Sequence, residues 1–481
     1  MRTIIIISNG LLILFVGHAQ THPSIEWFLS PAYMKGVSLS FAIKDIQGDS
    51  VIYSYDAERE MIPASVLKIV TTATALELLG EQFCYETSIL YDGEIKDSTL
   101  VGNLYIRGSG DPSLGSSEIE TDRNKVMYEW IKTIKNAGIR TISGSVIADE
   151  SIFDTEGVSM KWLREDLGSY YGQGSYGLNI YDNRYTLLLN TSLPDNKPEI
   201  IGSEPEITNI FYHNYLTTNK FGIDSTYIIG FPYVNERYLY GTVPSNRFEY
   251  RLIGDIPEPS LYLAQRFTEL LKNDTIRVFG TPTCYRILLQ NNEWQMQERK
   301  LLITTYSPPL KELVRITNHT SHNLYADALL KTAGLRNQTD ELQSSLEKGI
   351  GVVKRHWEAK GLSVSSLWMF DGSGLSPSDK TTASFLCDLL LYMYTQSPVS
   401  KSFIESLPRV GIEGTVANMF KGSVLQGQTR LKSGSMSRVR SYAGYVVKDN
   451  KTFAVAILVN NFSCSQTQMR QDIERLLLAL F

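Results

Sequence analysis

The sequence is poor in the residues that metal and redox chemistry use, with 4 cysteines and 6 histidines among 481 residues. The cysteines lie far apart and form no C-x-x-C pair, so a zinc or thiol-redox site is disfavoured. Free thiols are the favoured interpretation, although an exported protein can form disulfides and the pairing state is left open. The four positions are Cys84, Cys284, Cys387 and Cys464. We therefore expect neither a metal nor an organic cofactor.

Basic clusters and long apolar runs are also missing. The formal net charge is −5 and no arginine-rich run or basic stripe occurs, which argues against nucleic acid as a partner. After the first twenty residues, no apolar run approaches the roughly 20 residues that a membrane-spanning helix needs. We therefore expect no transmembrane segment in the mature chain.

The first twenty residues have the pattern of a secretory signal. Arg2 precedes an apolar stretch, Thr3 to Val16, and Gly17-His18-Ala19-Gln20 then places small residues two apart. This predicts a signal peptide over residues 1–19 and export, to the periplasm. An uncleaved membrane anchor is the alternative, but a Ser-Asn-Gly interruption shortens a stretch that is already short for a membrane span.

The two ends of the chain predict an α+β domain. Alternating apolar residues from Val37 to Ile43 and from Val51 to Tyr55 predict a hairpin of two half-buried strands. A second hairpin is predicted from Arg440 to Val447 and from Thr452 to Val459, followed by a helix over residues 465–481. The simplest architecture is an antiparallel sheet built from both chain ends, with helices packed on it.

The middle of the chain has a different character. Residues from about 90 to 300 are rich in short strands and turns, and helical periodicity is clear only from Ser260 to Lys272. Helices return beyond Leu310. The strands predicted in the middle are Leu100 to Arg107, Gly144 to Ala148 and Tyr238 to Val243, and the later helices are Asn323 to Ala333 and Gln343 to Lys360. The length also exceeds one compact core, so we predict a β-rich insertion into a domain built from the ends.

Ser65 and Lys68 form the strongest candidate for chemistry. They lie in Pro63-Ala64-Ser65-Val66-Leu67-Lys68, directly before an apolar helical run that ends at Gly80. The spacing of three places an amine beside a hydroxyl, and a lysine among apolar residues can have its pKa lowered enough to act as a base. The alternative is that Ser65 only caps the helix. A second S-x-x-K match, Ser345 to Lys348, lies in a charged stretch that is typical of a solvated helix face.

Two further elements favour a nucleophilic Ser65. Ser321-His322-Asn323 is the one S-x-N in the chain and lies where a polar loop enters a helix. Lys432-Ser433-Gly434-Ser435 ends a predicted strand, where glycine would let a ligand backbone approach and the lysine and hydroxyls could hold a carboxylate. The three elements occur in the chain order described for penicillin-binding proteins and active-site serine β-lactamases.

Other polar residues are weaker candidates. His319 and His322 have no acidic partner at triad-like positions, so a role in a polar loop is favoured over that of a general base. Asp111 and Asp371 lie in glycine-rich turns, where aspartate usually caps the backbone.

With these motifs the chain resembles the class C low-molecular-mass penicillin-binding proteins, the penicillin-binding protein 4 type of D-alanyl-D-alanine carboxypeptidases and endopeptidases. The resemblance spans essentially the whole mature chain. It also includes Gly108-Ser109-Gly110-Asp111-Pro112, Tyr240-Gly241-Thr242-Val243-Pro244, Asp371-Gly372-Ser373-Gly374-Leu375, Glu413-Gly414-Thr415 and Ser441-Tyr442-Ala443-Gly444-Tyr445-Val446.

The resemblance implies a fold and its partners. The fold would be the penicillin-recognising serine transferase fold, formed by residues 20–88 and 300–481. It would carry a β-rich domain II, residues 89–192 and 256–299, with a β-rich domain III, residues 193–255, nested inside it. The implied partners are peptidoglycan stem peptides and β-lactams, and the oligomeric state stays open.

The resemblance also implies a role for each site residue. Ser65 would be the acylated nucleophile, Lys68 its base and Ser321 a proton shuttle toward the leaving amine. The substrate would be held by Asn323, Lys432, Ser433, Gly434 and Ser435, with Ser433 and Ser435 on its terminal carboxylate and the Ser435 N–H in the oxyanion hole.

Two departures and two competing functions accompany the resemblance. Ser433 and Ser435 stand where the family commonly has threonine, and residues 170–179 replace a turn rich in proline and serine. A β-lactamase or esterase on the same fold is one competitor, but such hydrolases need no large insertion. A non-catalytic wall-binding scaffold is the other, and the intact Ser65, Lys68, Ser321 and Lys432 argue against it.

Overall fold

The computed structural model describes residues 22–193, 196–336 and 343–481. The predicted signal peptide lies outside these residues. In the described part of the chain, no helix is both long and apolar enough to span a bilayer. The α-helices are α1 (Pro23–Leu29), α2 (Lys68–Leu79), α3 (Lys125–Asn136), α4 (Pro259–Asn273), α5 (Tyr285–Gln290), α6 (Leu310–Thr320), α7 (Asn323–Gly334), α8 (Ser345–Ala359), α9 (Ala383–Thr395), α10 (Ser400–Ser406) and α11 (Gln466–Leu480).

Short strands dominate the middle of the chain and longer ones its ends. The strands are β1 (Ser38–Asp45), β2 (Ser50–Tyr55), β3 (Glu86–Tyr91), β4 (Glu94–Lys96), β5 (Thr99–Val101), β6 (Leu104–Arg107), β7 (Thr141–Ile142), β8 (Val146–Asp149), β9 (Arg184–Asn190), β10 (Glu199–Glu204), β11 (Phe211–Asn214), β12 (Thr217–Asn219), β13 (Tyr227–Ile229), β14 (Glu236–Tyr240), β15 (Thr242–Pro244), β16 (Tyr250–Asp255), β17 (Arg277–Val278), β18 (Thr283–Cys284), β19 (Lys300–Tyr306), β20 (Arg430–Met436), β21 (Val439–Lys448) and β22 (Lys451–Asn460).

The chain ends form one antiparallel sheet in the order β2-β1-β22-β21-β20. The hairpin of β21 and β22 turns at Asp449 and Asn450, which both have positive φ, as a tight two-residue hairpin turn requires. This confirms the predicted second hairpin.

Helices cover both faces of this sheet. Ala42 of β1 packs into a cluster with α2 and α6 to α10, whereas Phe41 and Ile43 pack with α1 and α11 on the other side. The prediction that this first hairpin is half-buried is therefore wrong for β1, which is buried on both faces. It holds better for the edge strand β2, where Val51 and Ile52 are exposed.

The middle of the chain builds several smaller sheets around a core of its own. Their orders are β18-β8-β6-β3-β19, β17-β7-β5-β4, β10-β9-β16, β11-β14-β13 and β12-β15. Two of the predicted strands are each two strands, because the chain turns at Gly102-Asn103 between β5 and β6 and at Gly241 between β14 and β15. The domain boundaries given above stay predictions.

The four cysteines are free thiols. Cys284 and Cys387 are buried, while Cys84 and Cys464 are only partly buried. Burial raises the pKa of the thiols of Cys284 and Cys387, which makes them poor nucleophiles.

Candidate active site

Ser65 lies in a tight turn that leads directly into α2. Residues Ala64–Leu67 form a 3-10 helix, and α2 begins at Lys68. Val66 and Leu67 are fully buried and anchor the turn in the core, whereas the Ser65 side chain keeps access to solvent. Ala64 adopts a positive φ of 47°, a strained conformation for a residue with a Cβ. The prediction that Ser65 lies at a helix start is confirmed.

Lys68 is fully buried and faces three oxygen atoms. Its Nζ lies 3.0 Å from Ser65 Oγ, since residues three apart eclipse one another in a 3-10 turn. It also donates to Asn323 Oδ1 and to the carbonyl oxygen of Ser373, both at 2.6 Å. A neutral amine has two N–H groups, and these two acceptors would use both, leaving the nitrogen lone pair for the Ser65 hydroxyl.

Burial lowers the pKa of Lys68 to about 8, even though three buried aspartates nearby act in the opposite direction. These are Asp327, Asp371 and Asp379. An appreciable share of the amine is therefore unprotonated near neutral pH, as a general base for serine requires.

Ser321 and Asn323 are presented at the junction of α6 and α7. Ser321 takes the left-handed conformation that ends α6, with φ 60°, and Asn323 is the first residue of α7. The Asn323 side chain accepts from Lys68 and donates to the carbonyl oxygen of Tyr171 at 2.8 Å. This junction thus sets Asn323 between Lys68 and the insertion.

A second lysine–serine pair faces the first. Lys432 on β20 is fully buried, and its Nζ donates to Ser321 Oγ at 2.9 Å and to the Ser433 carbonyl oxygen at 2.7 Å. Burial holds the pKa of Lys432 well below its usual range, and the neighbouring cations Lys68 and Arg440 lower it further. An anionic ligand beside Lys432 would therefore favour the charged form of this amine.

Gly434 fits β20 against the Ser65 turn. A Cβ at this position would lie 2.5 Å from the Pro63 carbonyl oxygen and 3.1 Å from the Ser65 nitrogen. The space that a Cβ would fill is thus taken by the protein's own backbone. The expectation that this glycine admits a ligand backbone stays a prediction. Next to it, Ser433 Oγ shares a 2.7 Å hydrogen bond with Thr415 Oγ1, while Ser435 is exposed.

A groove of about 670 Å³ opens above these residues. Four of the eight predicted site residues line it, namely Ser65, Ser321, Asn323 and Ser435. Lys68, Lys432, Ser433 and Gly434 lie behind them. The opposite wall comes from the insertion, through Glu118, Leu163, Glu165, Asp166, Tyr170, Tyr171 and Arg184.

Sequence reasoning missed the turn that receives Lys68. Asp371 accepts hydrogen bonds from the backbone N–H groups of Ser373, Gly374 and Ser376, which confirms its predicted capping role. The turn so formed presents the Ser373 carbonyl to Lys68. The D-G-S-G run was visible in the sequence, but a backbone contact across 305 residues leaves no local signal.

Sequence reasoning also missed Asp327 of α7 and the burial of His322. Asp327 Oδ1 accepts from the Gly372 N–H at 2.7 Å, and burial raises the pKa of Asp327. His322 lies in the loop before α7, as expected, but it is buried there, because it packs on the ring of Tyr325. Burial holds its pKa well below the usual range, so His322 is neutral.

A serine and a buried lysine on one turn, a second lysine–serine pair opposite and a helix-flanked antiparallel sheet define the penicillin-recognising serine enzymes. The comparisons with known proteins give the same class. Residues 24–479 match the D-Ala-D-Ala carboxypeptidase 3 (S13) family, and the chain belongs to that family. It is a serine-type D-Ala-D-Ala carboxypeptidase.

Known proteins resemble the chain over nearly its full length. The D-alanyl-D-alanine carboxypeptidase of Actinomadura sp. strain R39 is 25% identical over 455 residues, covering 92% of this chain and 81% of the relative. The crystal structure of penicillin-binding protein 4 from Haemophilus influenzae has a TM-score of 0.80 at 22% identity, covering 95% of this chain and 98% of that one. The same protein complexed with a β-lactam has a TM-score of 0.75 at 20% identity, covering 94% and 97%.

Proposed function

We propose that this carboxypeptidase cleaves D-alanyl-D-alanine peptides of peptidoglycan in the periplasm through an acyl-enzyme on Ser65. The observation that carries the proposal is the 3.0 Å approach of Ser65 Oγ to the buried amine of Lys68, whose pKa is lowered to about 8. Predicted export over residues 1–19 supports the location.

The first half-reaction forms the ester. Lys68 takes the Ser65 proton while Ser65 Oγ attacks the carbonyl carbon of the penultimate D-alanine. The N–H groups of Ser65 and Ser435 stabilise the oxyanion, and one such donor is worth about 3 kcal/mol in comparable enzymes. Ser321 relays the proton held by Lys68 to the leaving amine, the C–N bond breaks, and the terminal residue departs.

Asn323, Lys432 and the β20 residues hold the substrate. Asn323 orients the substrate amide, and the hydroxyls of Ser433 and Ser435 bind its terminal carboxylate. The bound carboxylate places a negative charge near Lys432, which favours the charged form of this amine. Gly434 keeps these groups close to Ser65.

Water then attacks the ester carbonyl while Lys68 takes a proton from it, and this proton passes to Ser65 Oγ as the Ser65–acyl bond breaks. The same acyl transfer serves carboxypeptidase and endopeptidase cleavage, which differ only in the amine that leaves. Penicillins would acylate Ser65 by opening their lactam ring, in keeping with the β-lactam complex of the Haemophilus protein.

Covalent labelling by fluorescent penicillin tests the assignment. Ser65→Ala is expected to abolish labelling and Lys68→Ala to slow it by at least about a hundredfold, because the nucleophile and its base are removed. Ser345→Ala is the matched control. Ser345 belongs to the second S-x-x-K match, and it is the first residue of α8, with its backbone N–H and side chain in contact with Asp154.

The control variant should label like the wild type. Labelling that persists in Ser65→Ala, located to another residue by peptide mapping, would overturn the proposal. Mass analysis of products from a defined cross-linked muropeptide would then show which amine leaves.

A further inference from the structure

One outward sheet face in the insertion is covered by aromatic rings. In the sheet β11-β14-β13, Arg237, Leu239 and Ile228 point inward and are buried. The side chains alternating with them point outward. We call this outward set the aromatic face, and it consists of Phe211, His213, Tyr215, Tyr227, Tyr238 and Tyr240.

The rings stack across the strands but stay open to solvent. Tyr240 is stacked between Tyr215 and Tyr227, with centroid distances of 5.2 and 5.5 Å, and His213 stacks on Tyr238 at 4.4 Å. Tyr215 and Tyr227, at the ends of the three-ring stack, are 58% and 46% exposed. Cross-strand ring pairs stabilise a sheet, but that role does not require rings this exposed, and contiguous exposed apolar surface usually marks a binding site.

The polar groups of the aromatic face suit an uncharged ligand rich in hydroxyls. Glu236, which begins β14 on the same side of the sheet, already accepts from the Tyr238 hydroxyl at 2.7 Å and lies 3.4 Å from His213 Nε2. Tyrosine combines an apolar ring with a hydroxyl that donates and accepts hydrogen bonds. A phosphate backbone or an anionic lipid surface would instead require a cluster of lysine and arginine.

One strand of the aromatic face leads directly to the wall of the active-site groove. Strand β13 carries Tyr227 and ends next to Gly230, whose N–H donates to the Leu167 carbonyl oxygen at 3.1 Å. Leu167 lies between the groove residues Asp166 and Tyr170. Three residues of extended chain, about 10 Å, therefore separate Tyr227 from the contact with this wall.

We propose that the aromatic face binds the glycan strand of peptidoglycan, the neutral N-acetylated sugar polymer to which the stem peptides are attached. Sugar rings pack their C–H faces on the open ring faces of Tyr215 and Tyr227, and the tyrosine hydroxyls bond to sugar hydroxyl and acetamide groups. A strand held there keeps its peptides near the groove. The identity of the polymer rests on the proposed function, whereas the binding site does not depend on Ser65 chemistry.

Calorimetric titration with peptide-free glycan strands, made by removing the stem peptides with an amidase, tests the proposal. The mature protein is expected to bind them whether or not its groove is blocked with penicillin. The double variant Tyr215→Thr/Tyr227→Thr should weaken binding at least about tenfold, since threonine keeps the strand preference but removes the rings. Hydrolysis of a short D-Ala-D-Ala peptide should stay unchanged, while hydrolysis of intact peptidoglycan should fall.

Phe279→Ala is the matched control, because Phe279 is 73% exposed and lies outside the aromatic face. It should bind the strands like the wild type. If the double variant fails to fold, Tyr215→Thr alone carries the test, since Tyr215 follows the end of β11 and is mostly exposed. The proposal would be overturned if the wild type did not bind the strands, which is the result that a protein-docking face would give. It would also be overturned if the double variant bound them as tightly as the wild type. Either result could occur with peptide hydrolysis intact, so it would leave the proposed function standing.

Discussion

At the scale of single residues, the state of Lys68 decides the chemistry. Burial removes the water that would stabilise its charge, and the nearby carboxyl groups of Asp327, Asp371 and Asp379 restore part of that stabilisation. Burial also raises the pKa of Asp327 and Asp379, so these groups lose part of their negative charge as the pH falls. The base strength of Lys68 is thus set by a balance between burial and buried aspartates.

The first prediction is the pH dependence of acylation. The rate constant for acylation by fluorescent penicillin should rise with pH up to about 8, by about tenfold per unit well below it, and then level off. Only the unprotonated amine of Lys68 takes the Ser65 proton. Rapid-quench measurements from about pH 6 to about pH 9 would record this rising limb of the pH–rate profile, and a flat profile would contradict the prediction.

Asp327→Asn tests the assignment of that limb to Lys68. The amide keeps the Oδ1 acceptor for the Gly372 N–H but removes a negative charge that raises the pKa of Lys68. The limb should therefore move to lower pH, and a move to higher pH would be inconsistent with the assignment.

At the scale of elements, the local patterns were predictable and the contacts between distant elements were not. Alternation and the Asp449-Asn450 turn predicted β21 and β22, and spacing alone placed Lys68 beside Ser65, because each depends on residues within one turn. The Ser373 carbonyl and Asp327 could not be assigned, since their roles arise only when α2, α7 and the 371–376 turn pack together.

The segment 156–175 also makes a contact that the sequence could not predict. We call it the groove-wall segment, because its residues Leu163, Asp166 and Tyr170 line the groove. Within it, Trp162 Nε1 donates to Asp371 Oδ2 at 2.7 Å, across 209 residues of sequence. Asp371 in turn holds the turn that presents Ser373 to Lys68. The insertion therefore supports, by a hydrogen bond to Asp371, the turn that holds the catalytic base.

The second prediction is that Trp162 positions this turn. Trp162→Phe should lower the acylation rate constant about tenfold, since a buried hydrogen bond to a carboxylate is worth about 1.5–3 kcal/mol and part of this loss should reach Lys68. The dissociation constant of the non-covalent penicillin complex should not change, because Trp162 does not line the groove. Stopped-flow kinetics at several penicillin concentrations separates the two quantities.

Trp368→Phe provides the comparison. Its indole also donates to a carboxylate, Glu60, at 3.2 Å, but Trp368 is exposed and neither residue lines the groove. This variant should acylate like the wild type. Equal effects of the two substitutions, or a loss confined to penicillin affinity, would exclude a positioning role for Trp162.

At the scale of the whole molecule, α7 joins the insertion to the catalytic centre. Its first residue, Asn323, contacts both Lys68 and the Tyr171 carbonyl. Two turns later, the buried Lys331 Nζ donates to the carbonyl oxygens of Glu156 and Ser175, at 2.5 and 2.8 Å, and so fastens both ends of the groove-wall segment. One helix thus fixes the width of the groove and the position of the base.

The last prediction concerns Lys331→Met, which keeps the length of the side chain but removes its donors. Two buried carbonyls lose a partner, at about 1–3 kcal/mol each, while the desolvation cost that lowers the pKa of Lys331 is relieved. We expect a net loss of about 1–3 kcal/mol in urea unfolding. Lys354→Met, which removes a lysine from over the exposed Trp368 ring, should change stability by less than about 0.5 kcal/mol.

The functional consequence of Lys331→Met should depend on substrate size. Lys331 holds only the two ends of the groove-wall segment, so its loss leaves the Trp162–Asp371 hydrogen bond in the middle, together with Ser65, Lys68 and Lys432. Penicillin acylation should therefore change by less than about threefold. A cross-linked muropeptide must also contact the insertion, and its kcat/KM should fall at least about tenfold. Equal losses with both substrates would show instead that Lys331 acts on the catalytic centre itself. Wild-type kinetics with the muropeptide would show that the groove-wall segment does not contribute to recognition.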